Sequence, residues 1–312
     1  MARRVVMCAL GGNALLRAGE TPSIEAQFRN ARRALKPLVP MLREGVALCL
    51  THGNGPQVGQ ILIRNQESLG KAYGIPLEVA VGQTEGEIGY LLQQTFVNLL
   101  AKERLPRDVV GLLTQVEVDP HDPDFKQPTK PVGPFLSKPK ADALAERGFD
   151  VAHERGRGWR RVVPSPKPLR ILEARVVAEL VTKGCVVIAA GGGGIPVARR
   201  RGGFEGVAAV IDKDRAAGVL ARQLRAHRML LLTGVDHVML GFGTKRARPV
   251  RELDVREARR LLDAGEFPPG SMGPKIEAAI EFLTNGGEEV LITSPERLTR
   301  GLARKSGTWI VP

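Results

Sequence analysis

The chain has 312 residues, of which 43% are hydrophobic, so it can bury a substantial core in one large α/β unit or two lobes. Its apolar runs are too short to cross a bilayer, and the first ten residues lead straight into a glycine turn, which favours a first core strand over a signal peptide. The net charge of +13 permits a nucleic-acid partner, but the basic residues are scattered and only 4% of the residues are aromatic, so we expect none. Three cysteines without metal-ligand spacing predict reduced thiols and a cytoplasmic protein: Cys8, Cys49 and Cys185.

Short apolar runs alternate with longer segments of helical period along the whole chain. This pattern is typical of a mainly parallel central sheet sandwiched by helices, an α/β fold. In the first part, strands are predicted at 4–10, 46–50 and 109–114, and helices at 24–42, 57–66 and 86–105. In the second part, helices are predicted at 171–181, 215–224, 255–262 and 275–282, and strands at 185–190, 229–232 and 290–293.

A segment from about 119 to 169 interrupts the alternation. Nine prolines lie in it, and proline removes a backbone donor and fixes φ, so regular α/β layers are not expected there. Apolar residues such as Phe125, Phe149 and Trp159 favour an ordered inserted subdomain over a flexible tether. We therefore predict a first lobe at 1–211 that carries this insertion, and a second lobe at 212–312.

Two glycine turns follow the first two predicted strands. Gly11 and Gly12 precede Asn13 after the first, and Gly53 precedes Asn54 after the second. Neither turn matches a standard phosphate loop, and a tight turn needs glycine even without a ligand. However, free N–H groups at such turns can face an anion, and the carboxyl ends of parallel strands line one crevice. Together the turns predict an anion-binding site.

Lysine is the rarer basic residue, with 13 lysines against 33 arginines, an excess of arginine that fits either a GC-rich genome or thermal adaptation. Three lysines nevertheless lie in unusual local sequences: Lys130 before Pro131, Lys213 between two aspartates, and Lys275 after Gly273-Pro274. Compact ammonium groups beside exposed backbone N–H groups are suited to holding mobile phosphates. This combination indicates phosphoryl transfer.

The Asp212-Lys213-Asp214 triplet has a second interpretation as a surface salt bridge, the usual fate of such triplets. Its place after an apolar stretch at 207–211, interpreted as a strand-to-helix junction, favours charges directed into a cleft. Asp214 is then expected to orient Lys213, and Asp212 to cap the following helix. The segment 233–236 ends the next strand and is a candidate contact for a nucleotide.

Several longer motifs carry a family resemblance. The chain resembles the carbamate kinases of the amino-acid kinase superfamily from about residue 5 to 312. The matching stretches include Ala9-Leu10-Gly11-Gly12-Asn13-Ala14, His52-Gly53-Asn54-Gly55-Pro56, Pro128-Thr129-Lys130-Pro131-Val132-Gly133-Pro134, Gly156-Arg157-Gly158-Trp159-Arg160, Val210-Ile211-Asp212-Lys213-Asp214 and Gly270-Ser271-Met272-Gly273-Pro274-Lys275.

The resemblance implies an amino-acid kinase fold, a protruding subdomain, a homodimer, and reversible phosphoryl transfer between ATP and carbamate, giving ADP and carbamoyl phosphate in arginine and carbamoyl phosphate metabolism. It implies that the first lobe binds carbamate and the second the nucleotide. The implied catalytic residues are Lys130, Lys213, Asp214 and Lys275. The implied carbamoyl site comprises Gly11, Gly12, Asn13, Gly53 and Asn54. The predicted nucleotide contacts are Lys213, Thr233, Gly234, Val235, Asp236, Met272 and Lys275.

Two alternatives stay open at this stage, together with the question of the metal. No carboxylate cage is evident, so Mg²⁺ is expected to enter with ATP or ADP, held by phosphates and water rather than by protein ligands. Another acyl-phosphate kinase acting on a larger carboxylate is the alternative enzyme. A nucleotide-sensing or nucleic-acid-binding module without chemistry is the alternative class, although it would not need all three lysines and Asp214.

Overall fold

The computed structural model describes residues 3–17, 19–154, 156–268 and 270–312, with only the backbone of Asn13. Within these ranges the strands are β1 (Val5–Leu10), β2 (Ala47–His52), β3 (Val109–Gly111), β4 (Gln115–Val118), β5 (Lys130–Leu136), β6 (Val151–Glu154), β7 (Gly158–Val163), β8 (Pro168–Ile171), β9 (Val186–Ile188), β10 (Ile195–Arg200), β11 (Gly203–Gly206), β12 (Arg228–Leu232), β13 (Met239–Leu240), β14 (Arg248–Pro249), β15 (Glu252–Asp254), β16 (Glu289–Thr293) and β17 (Thr308–Val311). The α-helices are α1 (Ile24–Leu35), α2 (Val39–Arg43), α3 (Gly55–Glu67), α4 (Leu77–Lys102), α5 (Lys138–Glu146), α6 (Ala174–Lys183), α7 (Lys213–Gln223), α8 (Val255–Asp263), α9 (Gly273–Thr284) and α10 (Leu298–Leu302).

One eight-stranded sheet organises the molecule, in the order β15-β17-β16-β12-β1-β2-β9-β3. Its neighbours are parallel except at β16 and β17, which pair antiparallel. The predicted mainly parallel sheet is therefore confirmed. Because β1 pairs with both β2 and β12, the same sheet runs through both predicted lobes. The division at residue 211 stays a prediction.

Helices cover both faces of this sheet, as the alternation of side chains along β1 requires. Cys8 and Leu10 pack on the side of α1 and α4, where Phe96 is fully buried. Met7 and Ala9 pack on the opposite side, against α6, α7 and α9. None of the helices in the described ranges has the length and apolar character needed to cross a bilayer.

The proline-rich insertion is ordered. Strands β5, β7 and β6 form a three-stranded antiparallel sheet next to helix α5. At its base, β4 and β8 pair antiparallel within a second sheet of order β11-β10-β4-β8. These paired strands stand where the chain leaves and re-enters the main body, so the insertion is fixed at both of its ends.

Several predicted elements have different boundaries in the structure. The strand predicted at 109–114 stops at Gly111, and the helix predicted at 24–42 is divided by a 3₁₀ turn at Lys36–Leu38, which contains Pro37. Proline lacks the N–H that an α-helix interior needs, which explains this break. The helix predicted at 86–105 begins nine residues earlier, at Leu77.

Two predictions around the second sheet were wrong. The helix expected from residue 171 begins at Ala174, because residues 168–171 pair with β4 as strand β8. The apolar stretch 207–211 is not a strand but a loop that leads into α7. Its residues Val210 and Ile211 are buried, as their apolar character predicts. The prediction that the stretch is a strand was wrong.

Candidate active site

A cavity of about 260 Å³ lies at the carboxyl edge of the main sheet, where β1, β2 and β12 end. Ligand sites in open α/β sheets lie at this edge. The lining residues come from both predicted lobes and from the insertion: Gly11, Gly12, Gly53, Asn54, Gly55, Pro56, Lys130, Gly192, Ile211, Asp212, Lys213, Asp214, Thr233, Gly234, Gly270, Ser271 and Lys275.

Asp214 holds two ammonium groups in this cavity. Its Oδ1 accepts from the Nζ of Lys213 at 2.5 Å, and its Oδ2 accepts from the Nζ of Lys275 at 2.9 Å. Lys213 is the first residue of α7 and Lys275 lies in the first turn of α9, so two helix N-termini supply the pair. Asp214 and Lys275 are 3% and 8% exposed, which makes this a buried charge cluster.

Asp212 connects the third lysine to this cluster. Its Oδ2 accepts from the Nζ of Lys130 at 2.6 Å. Its Oδ1 accepts from the backbone N–H of Asp214 at 2.9 Å and of Arg215 at 3.3 Å, which confirms the predicted cap of α7. One carboxylate therefore fixes both the helix that carries Lys213 and the side chain that reaches in from the insertion.

The electrostatics of the cluster favour ionised carboxyl groups and a charged Lys275, whereas burial lowers the pKa of Lys213. Burial opposes ionisation of Asp214, but Lys213 and Lys275 outweigh it and hold the pKa of this carboxyl below its usual value. Burial also opposes ionisation of Asp212, and Lys130 nevertheless lowers its pKa. Three ammonium groups thus face two carboxylates, and the excess positive charge suits a phosphate-bearing ligand.

The glycine turns contribute differently from expectation. The N–H of Gly11 donates to the carbonyl of Leu232 at 2.7 Å, and that of Gly53 donates to the carbonyl of Leu10 at 3.1 Å. These two donors are engaged within the protein and are not free to face an anion, whereas the place of Gly11 and Gly53 in the carbamoyl site stays a prediction. A side chain on Gly53 would place Cβ 3.1 Å from the N atom of Gly12 and 3.2 Å from Cδ of Lys213. Glycine there lets the two turns and the lysine stem lie against one another.

The predicted nucleotide contacts divide into two groups. Thr233 and Gly234 line the cavity, whereas Val235, Asp236 and Met272 lie outside its lining. Asp236 instead accepts from the hydroxyl of Ser294 at 2.6 Å and from the guanidinium of Arg297 at 3.1 Å, and Met272 packs against the core. The side chain of Asn13 lies outside the described residues. The roles of all six residues stay predictions.

Known proteins match this chain over its whole length. The family model described as "Amino acid kinase family" matches residues 4–294. The chain belongs to the amino acid kinase family. It is 43% identical to the carbamate kinase of Pyrococcus furiosus over 316 residues, covering 100% of both chains. Structures of a carbamate kinase from Giardia lamblia, bound to citric acid and to AMP-PNP, superpose with TM-scores of 0.93 and 0.91, each at 39% identity and over 99% of both chains.

This amino acid kinase also has a buried acidic residue that sequence reasoning missed. Glu85 on α4 accepts from the N–H of Thr114 at 3.1 Å and of Gly191 at 3.0 Å, and from the hydroxyl of Thr114. The buried ring of His52 stands beside Gly191, where a Cβ would lie 2.3 Å from its Nε2. Glu85 thus braces the turn that supplies Gly192 to the cavity. A single acid inside a helical pattern gives no local signal of this role.

Burial raises the pKa of Glu85 to about 8, against opposing hydrogen bonds from Thr114 and Gly191. The folded state therefore binds this proton more tightly than the unfolded state, whose value is near 4.5. The stability that the protonated group contributes is complete below pH 4.5 and is lost as the pH rises through about 8.

We predict that Glu85→Gln reduces the fall in unfolding free energy between pH 5 and pH 9, because an amide does not titrate. Urea unfolding at several pH values measures this, with Glu87→Gln on the same helix as the control. An equal fall in the wild-type and Glu85→Gln proteins would show that Glu85 is already ionised when folded.

Proposed function

We propose that this protein is a carbamate kinase, which transfers a phosphoryl group reversibly between ATP and carbamate. The observation that carries the proposal is the set of three lysine ammonium groups held by Asp212 and Asp214 in one cavity. Full-length similarity to relatives named carbamate kinase supports the choice of acceptor.

Lys213 and Lys275 act on the transferring group. In the ATP-forming direction, an oxygen of the ADP β-phosphate attacks phosphorus, the bond from phosphorus to the carbamate oxygen breaks, and carbamate leaves with that electron pair. Phosphoryl transfer needs little covalent help, so alignment and charge neutralisation supply most of the rate. Asp214 sets the separation of the two ammonium groups and limits their mutual repulsion.

Lys130 acts from the opposite wall. It comes from β5 of the insertion and reaches the N-terminal end of α7 through Asp212. In this proposal its ammonium group binds the carbamoyl phosphate, with Gly11, Gly12, Asn13, Gly53 and Asn54 around the carbamoyl end. The insertion then covers the acceptor and keeps water from an easily hydrolysed acyl phosphate.

Magnesium enters this scheme as part of the nucleotide substrate. Among the described residues there is no group of three acidic, histidine or cysteine side chains placed to hold a metal ion. The carboxylates of Asp212 and Asp214 are engaged by lysines. We therefore propose that nucleotide phosphates and water hold Mg²⁺, with the nucleotide seated at Thr233, Gly234, Val235, Asp236 and Met272.

The cellular setting follows from the same proposal. The three cysteines are free thiols, which fits a reducing compartment such as the cytoplasm. A reaction that links carbamoyl phosphate to ATP belongs to arginine and carbamoyl phosphate metabolism.

The direct test is ATP formation from ADP and carbamoyl phosphate in the presence of Mg²⁺. We expect turnover that stops when Mg²⁺ is chelated and resumes when it is restored. Acetyl phosphate and the phosphates of larger carboxylates serve as alternative donors, and a titration with DNA and RNA tests the binding-module alternative. A preference for a larger acyl phosphate, or nucleic-acid binding without turnover, would reject the proposal.

We predict that Lys213→Ala and Lys275→Ala each lower kcat by about a hundred- to a thousandfold, since removal of one preorganised donor costs roughly 3–4 kcal/mol at the transition state. Asp214→Asn is expected to act similarly, because it releases both ammonium groups. Steady-state kinetics measure this, with exposed Lys183→Ala as the control and circular dichroism to verify folding. A folded variant that keeps normal kcat would remove that residue from the mechanism.

We also propose a homodimer, formed through α4 and the edge strand β3. The apolar helical residues Ile61 and Leu91 are 7% and 2% exposed and belong to the protomer's own core, so they are not available to a partner. On the outer side, Tyr90, Val97 and Leu113 are 61%, 45% and 60% exposed around a cavity of about 410 Å³. An apolar surface beside a sheet edge is suited to a second copy of the chain.

We predict that sedimentation gives a species of twice the 33.7 kDa chain mass, and that Val97→Asp shifts it to the mass of one chain, because a charge there is desolvated in the dimer. Val176→Asp, at an exposed position on α6, is the control and leaves the mass unchanged. A single-chain mass for the wild-type protein at micromolar concentration would rule out the dimer.

A further inference from the structure

Helix α3 and strand β5 come into direct backbone contact at Gly59 and Gly133. A Cβ on Gly59 would lie 2.1 Å from the Cα and 2.5 Å from the N atom of Gly133, far inside any possible contact. Gly133 has φ of 74°, which also favours glycine. Any side chain at position 59 therefore requires β5 to move away from α3.

A third residue forms hydrogen bonds to Gly133. Arg160 donates to the carbonyl oxygen of Gly133 through Nε at 3.2 Å and Nη2 at 2.9 Å. Arg160 belongs to the Gly156-Arg157-Gly158-Trp159-Arg160 motif, for which the reaction scheme assigns no role. The ladder between β5 and β7 is irregular between Val132 and Leu136, so this side chain holds a carbonyl in a stretch of β5 where the pairing is interrupted.

The held peptide is close in sequence to Lys130. Lys130 begins β5, three residues before Gly133, and Val132 between them is 1% exposed in a cluster with Val58 of α3. The first residues of α3, Gly55 and Pro56, line the cavity itself. Gly55 and Gly59 are one helical turn apart, about 6 Å along the axis. Helix α3 therefore sets the distance between β5, which begins with Lys130, and the part of the cavity wall formed by Gly55 and Pro56.

We propose that Gly59, Gly133 and Arg160 form a backbone clamp that positions Lys130 over the cavity. The three are positioning residues that act through Lys130, not residues that touch the substrate. The clamp fixes the position of β5 along α3. At the start of β5, the ammonium group of Lys130 donates to Asp212. The kinetic consequences of the clamp rest on the proposed function. Its effect on the structure of β5 does not.

The test is a double-mutant cycle between Gly59→Ala and Lys130→Ala. Each variant is expected to raise the KM for carbamoyl phosphate, or lower kcat, by at least about tenfold, since displacing a substrate-positioning group by 1 Å can cost a hundredfold. The dissociation constant for ADP, measured by direct titration, stays within about twofold. In the Lys130→Ala background, Gly59→Ala has almost no further kinetic effect, because the group that it displaces is absent. Losses that multiply, or an equal loss of ADP affinity, would overturn the clamp.

Arg160→Ala provides a second variant should Gly59→Ala fail to fold. Its matched control is Arg157→Ala, since both arginines lie over the ring of Phe135, at 5.2 and 4.6 Å, and both pair with Glu154. Only Arg160 binds Gly133. We expect the carbamoyl phosphate defect with Arg160→Ala and not with Arg157→Ala. Equal defects in both would assign the effect to the contacts that they share with Phe135 and Glu154 and would reject the role of Arg160 in the clamp.

Hydrogen exchange separates this inference from the proposed function. The clamp predicts faster exchange of the β5 amides in Gly59→Ala and Arg160→Ala, with exchange in β1 unchanged. This readout needs no substrate, so it holds even for a wild-type protein inactive towards carbamoyl phosphate, a result that would reject the proposed function alone. Unchanged exchange of β5 in both variants would overturn the clamp whatever the activity.

Discussion

Asp214 binds two lysine ammonium groups at once, and the packing of the site depends on that arrangement. Removing charges from water costs several kcal/mol for each ion, and pairing repays this cost only with good geometry. Lys213 and Lys275 meet this condition because α7 and α9 pack side by side and begin at the same edge of the sheet. A shift of either helix would leave an unpaired charge at a nearly buried position.

The sheet register explains why remote segments meet at this place. In β1, Leu10 pairs with His52 of β2 and with Leu232 of β12, so the three strands end at the same level. The residues that follow each strand are consequently neighbours: Gly11, Gly53 and Thr233. The main chain of Gly11 bonds directly to that of Leu232, and Gly53 to Leu10, which leaves these turns little freedom.

Much of the fold and part of the candidate site could be predicted from the sequence. The alternation of apolar runs predicts the parallel sheet, and the turns after β1 and β2 mark its carboxyl edge. The cap by Asp212 follows from a local pattern, and the structure contains it. The local sequences single out Lys130, Lys213 and Lys275, but their individual roles needed the family resemblance in addition, since a lysine beside aspartate is usually a surface pair.

Other features were beyond reach because they join distant residues without a local pattern. Lys130 and Asp212 are 82 positions apart, and no propensity or period links them. In the sequence Gly59 is an ordinary glycine within a helix, and only the structure shows its close contact with the backbone of Gly133. Glu85 lies in a helix, and its hydrogen-bond donors Thr114 and Gly191 come from two turns later in the chain. The hydrogen bonds of the Gly11 and Gly53 amides were hidden for a related reason, since the carbonyl groups that accept them belong to other strands.

The same network supports the proposed roles of protein and nucleotide. Asp212 uses one oxygen for the amides of α7 and the other for Lys130, and Asp214 uses one for each of its lysines. A carboxylate engaged in this way is a poor ligand for Mg²⁺, which demands near-ideal octahedral oxygen geometry. Under the proposed function, the protein supplies fixed positive charge through three lysines, and Mg²⁺ is expected to remain with the nucleotide phosphates.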